Sequence, residues 1–147
     1  MPTSRDVAQY ILEKLGEITT IKLQKLVYYC QAWCLVWTEK PLFNEKIEAW
    51  ANGPVVPELY AAHKGLFSVS PTSGIGASCN LSTQDRMVVD GVLRTYGNKP
   101  AQWLVQLSHM ESPWKDARAS ACAGPGERSD VEITHAAMAE YYSGLLH

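Results

Sequence analysis

The chain has 147 residues, 46% of them hydrophobic and 19% charged, with a formal net charge of -2. This length suits a single domain, residues 1–147, able to bury roughly 70% of its unfolded surface, and five Trp and seven Tyr are more than a disordered segment carries. The slightly acidic balance lacks the basic stripe of a nucleic-acid-binding module. No stretch approaches the roughly 20 apolar residues that cross a bilayer, and "MPTSRDVAQY" has no signal-peptide character, so a cytoplasmic location is expected.

"TSRDVAQYILEKL" predicts the first helix: Thr3 and Asp6 form a capping box, Val7, Tyr10, Ile11 and Leu15 recur at helical spacing, and Gly16 ends it. "TIKLQKLVYYCQAWCLVWTEK" then repeats Leu23, Leu26, Val27, Cys30, Trp33, Cys34 and Trp37, which predicts a central helix of about 19 residues. Lys22 and Lys25 lie three apart near its start, with Tyr28 and Tyr29 on the next turn, and two such lysines read as a solvated face before they read as a site.

"PLFNEKIEAW" alternates Phe43, Ile47 and Ala49 with polar neighbours and predicts a short strand or extended arm. "ANGPVVPELY" follows. Gly53 opens backbone angles closed to other residues, Pro54 fixes its own φ, and Pro57 suits the first turn of the next helix, "PELYAAHKG". This elbow reads as a strand-to-helix corner. "SVSPTSGIGASCNLS", residues 68–82, reads as an exposed loop or loose hairpin and a candidate lid.

Ser82 with Asp85 caps "TQDRMVVDGVLRTYG", whose Met87, Val88, Val92, Leu93 and Tyr96 give one apolar face. Pro100 at the first helical position opens "PAQWLVQLSHM", Ser112 and Pro113 open "SPWKDARA", and Thr134 caps the closing "ITHAAMAEYYSGLL". The fold class is therefore mainly α, a single-domain helical bundle around a long central helix with a small β element.

Chemistry is sparsely signalled. Cys30, Cys34, Cys79 and Cys122 are too irregular for a disulfide framework, and Cys30 and Cys34 sit inside the apolar stripe, which favours buried thiols over metal ligands. No phosphate loop or nucleophile signature accompanies His63, His109, His135 or His147. A hydrolase or ligand-binding protein using His109 or a cysteine is the alternative class, and no cofactor or metal is expected.

In combination, "TIKLQKLVYYCQAW", "PLFNEKIEAWANGPVVPELY" and "LSHMESPW" resemble the Panacea domain of SocA-like antitoxins, a family also found among phage-associated proteins. The matching positions are Lys22, Leu23, Lys25, Leu26 and Tyr28; Leu42, Phe43, Ile47, Ala49 and Trp50; Gly53, Pro54 and Val55; and His109, Pro113 and Trp114. Ser108 stands where the family more often has Thr.

The resemblance implies a non-enzymatic antitoxin, encoded beside a toxin, that neutralises its cognate protein toxin by direct binding; delivery of the toxin to the ClpXP protease is the alternative mechanism. Relatives often carry an appended DNA-binding segment, which a first helix starting near Thr3 leaves no room for. No membrane or nucleic-acid partner is expected. Stable binding of a protein buries about 1,600 Å² around a few anchor residues. The candidate partner-binding residues are Lys22, Lys25, Tyr29, Trp50, Gly53, Pro54, Val55, His109 and Trp114, with the elbow holding residues 41–50 and the following helix as a rigid ledge.

Overall fold

The structure, a computed structural model, describes residues 1–146. Helix α1 (Ser4–Leu15) begins with the expected capping box: Thr3 Oγ1 accepts from the Asp6 amide, and the Asp6 carboxylate accepts from the Thr3 amide. A two-residue strand β1 (Ile18–Thr19) leads to α2 (Thr20–Thr38), which has the anticipated 19 residues and is capped by Thr19. The chain continues through β2 (Ile47–Trp50), β3 (Gly53–Val55), α3 (Pro57–His63) and β4 (Ser68–Val69). Helices α4 (Thr83–Tyr96), α5 (Ala101–Met110) and α6 (Ser112–Ser120), strand β5 (Glu132–Ile133) and helix α7 (His135–Gly144) complete it. The architecture is mainly α with small antiparallel sheets, as expected.

The elbow differs in one respect from a simple strand-to-helix corner, because it contributes a strand of its own. β3 folds back on β2 with Trp50 opposite Gly53 and Glu48 opposite Val55, and β5 pairs with the other edge of β2, giving the order β3-β2-β5. Pro54 is tolerated because β3 is an edge strand, where a missing N–H removes no ladder bond on the open side. β5 is two residues long and escaped sequence reading because it has no room to display a period.

Residues 68–82 are not a loose lid. β4 pairs with β1, and three side chains of α1 hold the rest: Gln9 donates to the Pro71 carbonyl at 2.9 Å, Arg5 to the Ile75 carbonyl at 2.8 Å, and Asp6 accepts from the Ala77 amide at 3.0 Å. Ile75 and Leu81 are buried. A Cβ at Gly76 would run into the Arg5 carbonyl, so the glycine is there to let two backbones touch. The polar composition of the segment concealed widely spaced apolar anchors.

The apolar stripe expected of α2 is only part of its buried surface. Every residue from Leu23 to Leu35 is buried, enclosed mainly by α4, α5 and α7. Trp37, at the end of the stripe, is 48% exposed, as is Met87 of the expected α4 face at 66%, while Val89 takes the inward place beside Val88 and Val92. Buried polar groups need partners, and those of α2 find them on different elements. Gln31 accepts from the Leu42 amide at 2.7 Å and donates to the Phe43 carbonyl at 2.8 Å, fixing the start of the arm. Trp33 donates to the Tyr96 hydroxyl at 3.1 Å.

Tyr29, stacked on Tyr96 with centroids 4.3 Å apart, donates to Glu111 Oε1 at 2.7 Å. Tyr142 donates to the same oxygen at 2.8 Å and lies 3.0 Å from the Tyr28 hydroxyl. Glu111, at the junction of α5 and α6, thus ties α2 to α7. Burial raises its carboxyl above the ordinary value, more than the two tyrosine hydrogen bonds lower it.

A raised carboxyl pKa means the folded state holds its proton more tightly than the unfolded chain, so stability from this group is present below the unfolded pKa of about 4.3 and lost as pH rises through the folded value. Glu111→Gln, which keeps an acceptor for both tyrosines, is expected to flatten that decline in urea midpoints measured from pH 4 to 7. Glu111→Ala, which strands both hydroxyls, is expected to cost about 2–3 kcal/mol near pH 4 and less as pH rises through the folded value.

Candidate functional site

Helix α2 reaches the hairpin β2–β3 through two consecutive side chains. Gln24 accepts from the Val56 amide at 2.9 Å and returns a bond to the Val56 carbonyl at 3.3 Å. Lys25, 2% exposed, donates to the Pro54 carbonyl at 3.1 Å. Lys25 corrects the expectation of a solvated lysine pair: it is interior, while Lys22 is half-buried. Burial depresses the Lys25 amine from its usual range to about 8.

Gly53 is required on two counts. Its φ of 121° is one that side-chain-bearing residues rarely adopt. A Cβ there would also stand 2.7 Å from Lys25 Cε and 3.2 Å from Ser108 Oγ.

The other face of the hairpin rests on α5 and α6. Trp114 donates its indole N–H to the Trp50 carbonyl at 2.8 Å, and buried Arg118 donates to the Ala49 carbonyl at 3.0 Å while also holding the Gly124 and Glu127 carbonyls. His109 stacks on Trp114, centroids 4.0 Å apart and planes 7° from parallel. Burial first, and the charges of Lys25 and Arg118 after it, lower the His109 pKa despite a backbone bond at Asn52, and its Nε2 has no hydrogen-bond partner.

Between the start of α2, the hairpin, α3 and residues 126–130 lies a cleft of about 950 Å³. Gln24, Lys25, Trp50, Val55, Tyr60 and His63 form walls, with Trp50 set edge-on to Tyr60 at 5.1 Å. The Gln24 amide lies 2.9 Å from His63 Nε2, and burial keeps this histidine below its ordinary pKa. Glu48 accepts from the Trp50 indole at 2.8 Å and lies 3.5 Å from Lys46. Ile21 on the lining is 46% exposed, and beside the cleft Leu66 and Phe67 are 51% and 78% exposed, with the Thr20 amide joined to the Phe67 carbonyl at 3.0 Å.

Of the candidate residues, the structure gathers Lys25, Trp50, Gly53, Pro54, Val55, His109 and Trp114 around the hairpin. Lys22 lies outside the cleft walls, and Tyr29 is fully buried in the Glu111 network. Gly53, Pro54 and Val55 are themselves buried, so they shape the ledge, whereas Trp50 and Trp114 are half-buried. Sequence reading missed Gln24, Tyr60, His63, Arg118 and Arg128. Only Gln24 left a trace, as a lone amide in the run "LQKLVYY".

Cys30 and Cys34 are buried, and burial pushes both thiols up. Among the described residues, no three His, Cys, Asp or Glu side chains converge in a way that could hold a metal ion, and no helix is long and apolar enough to cross a membrane. What the elements share is a preformed, partly apolar recess braced from two sides.

The chain belongs to the antitoxin family described as "Antitoxin SocA-like, Panacea domain", which matches residues 23–115, from the second turn of α2 into the start of α6, and so takes in the whole hairpin, Lys25 and Trp114 but not Arg118. It is similar to the Antitoxin SocA of Caulobacter vibrioides (strain NA1000 / CB15N), 32% identical over 127 residues that cover 76% of this chain and 68% of that protein. No solved structure matches. Membership supports an antitoxin role.

Two expected outcomes follow from the geometry. Gly53→Val should lower stability by about 2–4 kcal/mol in denaturant unfolding, from the unfavourable φ and the collision with Lys25 together. For Lys25, a base with a folded pKa of about 8 against 10.5 unfolded, unfolding takes up a proton across that interval, so its contribution to stability rises as pH rises from about 8 to 10.5. Lys25→Met should remove that rise, read as the wild-type-minus-variant difference in unfolding free energy.

Proposed function

We propose that this antitoxin neutralises a cognate protein toxin, encoded by an adjacent gene, through direct protein–protein binding at the braced hairpin and its cleft, without catalysing a reaction. The observation that carries this reading is the preformed recess: half-buried Trp50 and Tyr60 within it, exposed Ile21 on its lining, and exposed Leu66 and Phe67 bonded to Thr20 beside it. Aromatic groups held in place by other bonds make effective anchors because little side-chain entropy is lost on docking. Lys25, Gly53, Pro54, Val55, His109 and Trp114 act here by setting the shape of the ledge. The buried thiols of Cys30 and Cys34 speak against either of these two as a nucleophile, which needs accessible thiolate.

Co-expression with the product of the adjacent gene tests the proposal. Growth rescue together with a stable complex in pull-down is the expected outcome. Rescue that requires ClpXP and removes the neighbour's protein would instead indicate delivery for proteolysis, and a neighbour harmless on its own would overturn the toxin-partner reading. Phe67→Ser together with Ile21→Ser, both exposed, should leave the melting temperature within a few degrees while weakening the complex at least about ten-fold.

A further inference from the structure

The Lys25 ammonium poses a problem that the fold leaves open. It has three N–H donors, and its one hydrogen bond runs to the Pro54 carbonyl. Among the described residues no carboxylate lies within 4.0 Å of it. The adjacent polar side chains offer no counter-charge: Gln24 is spent on Val56 and His63, and His63 and His109 feel the Lys25 charge as an unfavourable neighbour. A buried, unpaired charge costs several kcal/mol, yet Gly53 preserves the space that admits this side chain. The lysine also forms part of a cleft wall.

Lys64 and Arg128, both exposed, add positive charge, while Asp130 and Glu48 offset part of it. Three cations facing two carboxylates suit a singly charged anion better than a phosphate dianion. Glu48 is itself engaged by Trp50 and Lys46, which leaves Lys25 available. The aromatic walls of Trp50 and Tyr60, with Ile21 and Val55, suit a side chain that arrives flanked by apolar residues.

We propose that the cleft receives an Asp or Glu side chain of the partner polypeptide, whose carboxylate pairs with the Lys25 ammonium between Trp50, Tyr60 and Val55. The proposal rests on direct binding of a protein partner and names the chemistry of its contact. The incoming carboxylate supplies the counter-charge the fold lacks, in a setting where charge-assisted hydrogen bonds are strongest.

The test is a titration of the isotope-labelled full chain with N-acetyl-Leu-Glu-Leu-amide and with its Gln isostere, following the Gly53 and Val55 region, the Gln24 side-chain amide and the Lys25 Cε resonance. The Glu peptide is expected to move all of these and to bind about ten-fold or more tightly than the Gln peptide. Lys25→Met should erase that difference, and Lys64→Gln with Arg128→Gln, exposed changes that leave the interior intact, should reduce it. If Lys25→Met fails to fold, the Lys25 Cε resonance of the wild-type chain and the rim double variant carry the decision.

Equal binding of the two peptides, no binding of either at millimolar concentration, or a difference that survives Lys25→Met overturns the proposal. Sodium succinate or inorganic phosphate binding as tightly as the Glu peptide overturns the polypeptide source and makes the cleft a small-anion site. A folded Lys25→Met chain that still rescues growth also overturns it, while leaving direct neutralisation standing; a wild-type chain that separates the peptides but never rescues growth supports the carboxylate site and removes the toxin from the account.

Discussion

Helix α2 is enclosed on all sides from Leu23 to Leu35, and everything else in the fold answers to that constraint. A helical stretch buried on every face cannot leave its polar side chains to water, so each must draw in a piece of another element. Gln24 and Lys25 take the backbone of β3 and the residue after it, Gln31 takes the beginning of the arm, Tyr29 takes Glu111, and Trp33 takes Tyr96. These bonds give each neighbour one register against the central helix. Apolar packing alone would have permitted several.

The hairpin inherits its rigidity from the same source. It is held on one side by α2 and on the other by Trp114 and Arg118, which reach the successive carbonyls of Trp50 and Ala49 in β2. A short two-stranded ribbon has little stability by itself, so the bracing is what makes it a usable ledge. Gly53 sits at the crossing point, where the strand must pass close over the Lys25 side chain. The proline on either side of the Val55–Val56 pair then sends the chain into α3 and closes the cleft.

The polar interior divides into two regions of opposite character. Around Glu111, a single carboxylate is surrounded by tyrosine hydroxyls that donate to it, a closed network with a structural purpose. Around Lys25, a cation has one carbonyl partner and opens on a cleft. A satisfied buried network fixes a fold, whereas Lys25 keeps donors unspent beside a recess. The family match includes both Lys25 and Glu111.

The sequence by itself determined the helices, because caps and apolar spacing are local: Thr3 with Asp6, Ser82 with Asp85, and the length of α2 were all legible within a few residues of each other. It also determined the family, through motifs whose order survives in the linear chain. Tertiary structure alone decided that Lys25 is interior, that residues 68–82 are strapped to α1, and that Gln24, His63 and Arg128 share a recess with Trp50. Those outcomes depend on partners 29 to 70 residues away, and a side chain's burial is set by what packs over it, which no local pattern records.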